Sequence, residues 1–267
     1  MKLIETGTVL LDLDDNGVAH LRLNRPEASN GMNVPFLREL YDAVMVATGR
    51  PELRALLLTG EGPNFCAGGD VKTFASKGEE LPDYLREATA WLQNVTQGLL
   101  ALPVPVVAGV HGFAAGGGGL GLVCACDIVI AGESAKFMSG AARVGMAPDA
   151  GSSATLPQLV GLRKAMEILL LNPTLSAAEA AEIGLITRVV PDADLQSEAL
   201  AAARTIAEGP PRALGAIKRL VWSGLGNRVE AQLPEEARTV SELSGTADAR
   251  EGLAAVLERR KPTFTGR

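Results

Sequence analysis

The chain has 267 residues, 47% of them hydrophobic, 21% charged and only 4% aromatic, with a formal net charge of -6 at pH 7. This composition describes a folded chain with a core of Ala, Leu and Val and excludes a disordered polar segment. Its acidity, with ERRK around Arg259, Arg260 and Lys261 as the one short basic run, excludes a broad phosphate-binding face, so no nucleic-acid partner is expected.

In chain order, MKLIETGTVLLDLDD carries acids throughout and no small-residue cleavage site, so it is expected to be part of the fold and not a signal peptide. VLLDLD and VAHLRL alternate apolar and polar residues about DDNG, which predicts a hairpin turning at Asp15, Asn16 and Gly17. NVPFLRELYDAVMVA then has helical spacing. RALLLTG, PVVAGVHG and DIVIAGE are short apolar segments separated by helical patterns such as PDYLREATAWLQNVTQGLLAL, which predicts an α/β core with buried strands.

After Pro191, DLQSEALAAARTIAEG, PRALGAIKRLVWSGL and TADAREGLAAVLERRK are helical patterns punctuated by Gly209, Pro210 and Pro211. The chain is therefore divided into a core over 1–195 and a helical region over 196–267. The apolar stretch from Leu99 to Ile130 is broken by Pro103, Pro105, His111 and glycines, so no membrane span is expected. Cys66, Cys124 and Cys126 are an odd set in apolar surroundings and are read as reduced, as befits a cytoplasmic protein. The two histidines and three cysteines show no metal-ligand spacing, and no serine sits in a G-x-S-x-G elbow, so neither a metal centre nor a triad hydrolase is expected.

Gly116, Gly118 and Gly121 satisfy G-x-G-x-x-G, but too little chain follows for the long helix of a dinucleotide site. Consecutive glycines can instead bare backbone N–H groups at the start of a short helix. A second glycine-rich loop, NFCAGGDVK, holds Gly68 and Gly69. Together the two loops could direct two N–H donors at one carbonyl oxygen, or both could be plain tight turns. Asp149 lies in GMAPDAGSSATLPQLVG at the start of a helical pattern, where it reads either as an N-cap or as a reacting carboxylate.

The segments LNRPEASNGMN, FCAGGDVKTFA, VAGVHGFAAGGGGLGLVCACDIVIA and GMAPDAGSSATLPQLVGLRKAMEILL, followed by SAAEAAEIGLITRVVP, resemble in order the signature segments of the enoyl-CoA hydratase/isomerase, or crotonase, family. The resemblance implies a spiral of repeated ββα units with a C-terminal helical trimerisation region, a homotrimer or a dimer of trimers. It also implies an acyl-CoA substrate, with coenzyme A brought by the substrate and no separate cofactor. By matching, the oxyanion donors are Gly69 and either Gly118, counting back from Asp127, or Gly117, counting forward from Gly112, because the run is one glycine longer than the family's pattern. Matched contacts to coenzyme A fall on Pro26, Glu27 and Ala28, on Ala67, Asp70 and Val71, and on Arg259 or Lys261. For Asp70 a loop-shaping role is expected, since a carboxylate does not suit phosphate.

Hydration in this family uses two glutamates, and the matching positions here are Gly121 and Ala141, neither of which can move a proton. PDAGS instead resembles branches such as the phenylacetate-pathway isomerases, in which an aspartate at the position of Asp149 is the functional acid. One carboxylate suffices for a double-bond shift, so the expectation is isomerisation, with hydration or a non-catalytic acyl-CoA-binding role as alternatives. A dehalogenase of the same family would need a tryptophan where Ala141 stands.

Overall fold

The computed structural model describes residues 1–267. Its strands are β1 (Lys2–Ile4), β2 (Val9–Leu13), β3 (Val18–Leu23), β4 (Ala55–Gly60), β5 (Val106–Val110), β6 (Phe113–Ala115), β7 (Ile128–Gly132), β8 (Lys136–Met138), β9 (Leu175–Ser176) and β10 (Arg188–Val190). Seven of them form one sheet in the order β1-β2-β3-β4-β5-β7-β10, antiparallel from β1 to β3 and parallel from β3 onward. The expected hairpin is β2–β3. Asp14 accepts the Asn16 and Val18 amides, both at 2.9 Å, and Gly17 takes φ 81°, a conformation glycine adopts without steric cost.

The side chains of this sheet divide between two faces, as the period of a strand requires. Leu21, Leu56, Leu58, Val106 and Ala108 join one core with helix Val34–Thr48 and helix Leu81–Ala101. Val18, Ala55, Leu57, Val107 and Ile130 join another beneath helix Leu195–Ala207. That helix presents Leu195, Ala199, Ala203 and Ala207 at four-residue spacing. The small side chains let it lie close to the sheet: a methyl on Gly109 would come 3.2 Å from the Ala199 Cβ. The division at residue 195 thus falls at the start of a helix that itself completes the core.

Beyond Pro211 come helices Pro211–Gly224, Val229–Ser244 and Ala247–Glu258. Lys218, 5% exposed, pins the first of these to the core. Its Nζ donates to the Leu99 carbonyl at 2.6 Å and lies 2.9 Å from Asp127, whose other oxygen accepts from the Trp222 indole at 2.7 Å. A buried ammonium is tolerated only when its charge and protons are matched in this way. No helix is long and apolar enough to cross a membrane.

β6, β8 and β9 form a small separate sheet, and isolated bridges join Met32 to Gly69 and Cys66 to Ala114. These bridges bring the loops after β3, β4 and β5 to one end of the molecule.

Candidate active site

At that end a cavity of about 590 Å³ opens beneath helix Leu81–Ala101. Its lining is mostly apolar and includes Met32, Leu37, Phe74, Leu81, Leu85, Leu92, Met138, Val144 and Met146. Asp149 is its one carboxylate and Arg143, exposed and reaching the Asn172 carbonyl, its one cation. Met138 and Met146 lie on its wall, and seven residues from Phe74 to Leu92 line it as well. Trp91 does not reach it, since its ring packs 5.8 Å from that of Tyr41 beneath the Arg38 guanidinium.

The floor is built from the two glycine-rich loops. Cys66 donates its amide to the Phe113 carbonyl and accepts from Ala115, which draws residues 64–70 against β6. Gly68 takes φ 99°, and a methyl there would meet the Ala115 carbonyl at 2.8 Å. A methyl on Gly116 would lie 3.1 Å from the Gly68 Cα and 3.8 Å from the Gly69 nitrogen. These glycines are what permit the loops to touch. The Gly69 amide, between Met32 and Asp70 in the bridge, donates to no protein acceptor. Gly117 and Gly118 open a helical turn, where amides lack intrahelical acceptors. The two loops therefore bring unpaired N–H groups to one place.

The turn Gly117–Gly121 is π-helical and runs directly into the short helix Leu122–Cys124. A single π turn accommodates one residue more than an α-helix does, which suits a glycine run of this length. A methyl on Gly117 would overlap the Asp149 carboxylate, whereas one on Gly118 would meet Met32 and Cys66. Gly117 thus faces the carboxylate and Gly118 the loop that carries Gly69.

Asp149 does not cap the following helix. The residue before helix Ser152–Val160 is Gly151, with no side-chain cap, and Asp149 offers that helix only its carbonyl, which accepts from Ser152 N and Oγ at 3.0 and 2.7 Å. Its carboxylate accepts from no other residue's side chain or amide. Desolvation in the apolar cavity therefore pushes its pKa above the ordinary carboxylate range, opposed only by its own backbone N–H. The tension between a helix terminus, which would lower the pKa, and an apolar pocket is decided by geometry in favour of the pocket.

Asp70 behaves as a loop-shaping residue. Burial opposes its charge, but the Thr73 amide and hydroxyl at 3.1 and 2.8 Å and the Arg25 guanidinium at 2.8 Å together hold its pKa below the usual value. Pro26, Glu27 and Ala28 form a short turn at the rim beside Gly62, and Ala67 and Val71 are exposed nearby. Sequence reading missed Asn30. Buried at φ 55°, it donates to the Glu61, Asn64 and Phe65 carbonyls and accepts the Arg25 amide, stapling the loops after β3 and β4 together. The Asn-Gly pair in EASNGMN was the available signal, because asparagine tolerates the left-handed region.

Within one chain Arg259 and Lys261 stand apart from these residues. Lys261 pairs with Glu208 at 2.7 Å, and the Phe264 carbonyl accepts from Arg54, which immediately precedes β4. The tail therefore lies at the N-terminal ends of the parallel strands, while the cavity lies beyond their C-terminal ends. His111, bonded to the Gly62 carbonyl at 2.8 Å, and the exposed Glu79, Glu80 and Asp83 lie outside the cavity.

A parallel-sheet α/β core with a carboxylate in an apolar cavity above two glycine-rich loops fits an enzyme that handles an apolar acyl group. The enoyl-CoA hydratase/isomerase family profile matches residues 14–267, and the chain belongs to that family. A Rhodobacter capsulatus protein described as a probable enoyl-CoA hydratase is 43% identical over 251 residues, 94% of this chain and 95% of that one. The 1,2-epoxyphenylacetyl-CoA isomerase of Escherichia coli is 38% identical over 255 residues, 95% of this chain and 97% of that one. The crystal structure of an enoyl-CoA hydratase from Bacillus anthracis superposes with a TM-score of 0.92 at 32% identity, covering 98% of this chain and all of that one. The fold is thus the crotonase fold of the enoyl-CoA hydratases and isomerases.

Proposed function

We propose that the protein shifts a double bond in an unsaturated, apolar acyl-CoA, with Asp149 as the proton shuttle. The observation that carries this reading is that Asp149 is the only carboxylate in the cavity and that its carboxylate accepts from no other residue. In a 3-enoyl thioester the C2 proton passes to Asp149. The electrons move into a dienolate whose oxygen accepts from Gly69 and from Gly117 or Gly118, and the proton returns to C4, leaving a 2,3 double bond. A single oxyanion donor of this kind contributes about 2.7–4 kcal/mol to the transition state. Hydration asks for a water both deprotonated and oriented while C2 is protonated, and at Gly121 and Ala141 there is no second proton carrier.

Coenzyme A is proposed to lie along the rim at Pro26, Glu27, Ala28, Ala67 and Val71, with Asp70 holding the loop from below. Arg259 and Lys261 could contribute only from a second copy of the chain. A cytoplasmic homotrimer or dimer of trimers is part of the same proposal, its assembly supported by the exposed Ile217, Val221, Val229 and Leu233 of the C-terminal helices.

Asp149→Asn tests the reading. Turnover of a 3-enoyl-CoA is expected to fall by about 10²–10⁴-fold, the range of a lost general base, with binding of the thioester retained. Unchanged turnover would remove Asp149 from the chemistry, and an inactive wild type that binds the thioester tightly would favour a binding protein.

A further inference from the structure

The turn that delivers Asp149 is unusual in its backbone. Ala150, 2% exposed, has φ 51°, and Gly151 follows at φ 73°, so two successive residues occupy the left-handed region and one of them carries a Cβ. Such a conformation persists only where surrounding structure enforces it. Here that structure is the π-helical turn. Gly117 and Gly121, four residues apart, present one face of it. A methyl on Gly117 would overlap the Asp149 carboxylate, and one on Gly121 would come 2.5 Å from the Ala150 Cβ.

We propose that Gly117 and Gly121 are positioning residues that form a two-point seat for the turn 149–151 and so fix where the Asp149 carboxylate stands. The Gly121 site receives the Ala150 methyl, which locks the left-handed turn in place. The Gly117 site leaves room for the carboxylate itself above the open end of the π turn. The π turn supplies both gaps from one short element. As far as turnover is concerned, the proposal rests on Asp149 being the reacting carboxylate.

The two gaps make opposite predictions for rescue. Gly121→Ala drives a methyl into the Ala150 methyl, and displacing the carboxylate by about 1 Å is expected to lower kcat by up to about 10²-fold while KM stays near that of the wild type. Removing the Ala150 methyl in the double variant Gly121→Ala/Ala150→Gly gives back the space and is expected to return kcat to within about tenfold of the wild type. Gly117→Ala is expected to be as inactive as Asp149→Asn, with no rescue by Ala150→Gly. Circular dichroism and thermal melting establish that each variant is folded.

A second readout does not depend on turnover. The Asp149 carboxyl carbon, followed by isotope-edited NMR and assigned by its loss in Asp149→Asn, is expected to titrate at an altered midpoint in Gly121→Ala and at the wild-type midpoint in the double variant. A folded Gly121→Ala protein with an unchanged titration, or a double variant that restores neither kcat nor the midpoint, overturns the seat. A wild type that fails to convert any enoyl-CoA, yet shows the titration shift and its reversal, would overturn the isomerase reading and leave the seat standing.

Discussion

Asp149 and Asp70 are both acids at the start of a helix in a glycine-containing loop, and their surroundings separate them. The Asp70 carboxylate receives the Thr73 amide and hydroxyl and the Arg25 guanidinium, whereas that of Asp149 receives no other residue and faces apolar side chains. The raised pKa of Asp149 has a consequence for stability. The fold favours its neutral form, so its stabilising contribution is complete below the unfolded-state carboxylate range and is lost as pH rises through the raised folded value. Above the unfolded-state carboxylate range the group therefore costs the fold stability. Asp149→Asn is therefore expected to melt no lower than the wild type at pH 7, with the difference narrowing toward acid, as scanning calorimetry across pH would show. A clear loss of stability at pH 7 would mean that the carboxylate is satisfied after all. The sequence left cap and catalyst open because PDAGS fits both. The choice turns on the left-handed Ala150, a conformation alanine does not advertise.

Elements with a long periodic signal were legible. The hairpin follows from alternation, the helix predicted at 33–47 and found at Val34–Thr48 from helical spacing, and the three central strands from short apolar runs of five or six residues. The small sheet of β6, β8 and β9 was not legible, because strands of two or three residues hold less than one usable period. The same holds for the π turn, whose composition signals flexibility but not its pitch. Helix Val229–Ser244 carries Pro234 in its interior, which speaks against a helix wherever tertiary contacts do not override it. At this scale Lys218 is the sharpest test of how the C-terminal helices join the core. Lys218→Ala leaves the half-buried Asp127 beside the Trp222 indole without its cation, and is expected to cost about 3–5 kcal/mol in urea denaturation. A loss below about 1 kcal/mol, the range of an exposed pair, would show that solvent reaches the site.

For the molecule as a whole, the core explains itself but the surface does not. The sheet is covered on both faces, while Leu253, Val256 and Leu257 on the last helix and Ile217, Val221 and Leu233 on its neighbours lie exposed. The tail is held firmly against its own chain: Arg260 pairs with Glu251 and draws its pKa down to about 2, and the Thr263 amide donates to the same carboxylate. Apolar area of this extent on a folded chain marks an interface. Light scattering at micromolar concentration is expected to return about three or about six times the monomer mass, for a trimer or a dimer of trimers, with Val221→Asp shifting it toward the monomer by burying a charge without a partner. A monomer for the unaltered chain would contradict this. The place of Arg259 and Lys261 was illegible for a related reason, since sequence matching does not say which copy of a chain a contact comes from.

The central claim is that one buried carboxylate above two glycine-rich loops performs a double-bond shift. Its most direct test is incubation of the unaltered protein with a 3-enoyl-CoA, the products resolved by chromatography and mass. The account predicts a product of unchanged mass that absorbs as a conjugated thioester. An unchanged 3-enoyl-CoA, with one water added to a 2-enoyl-CoA offered in its place, would contradict it and make the protein a hydratase in spite of Gly121 and Ala141.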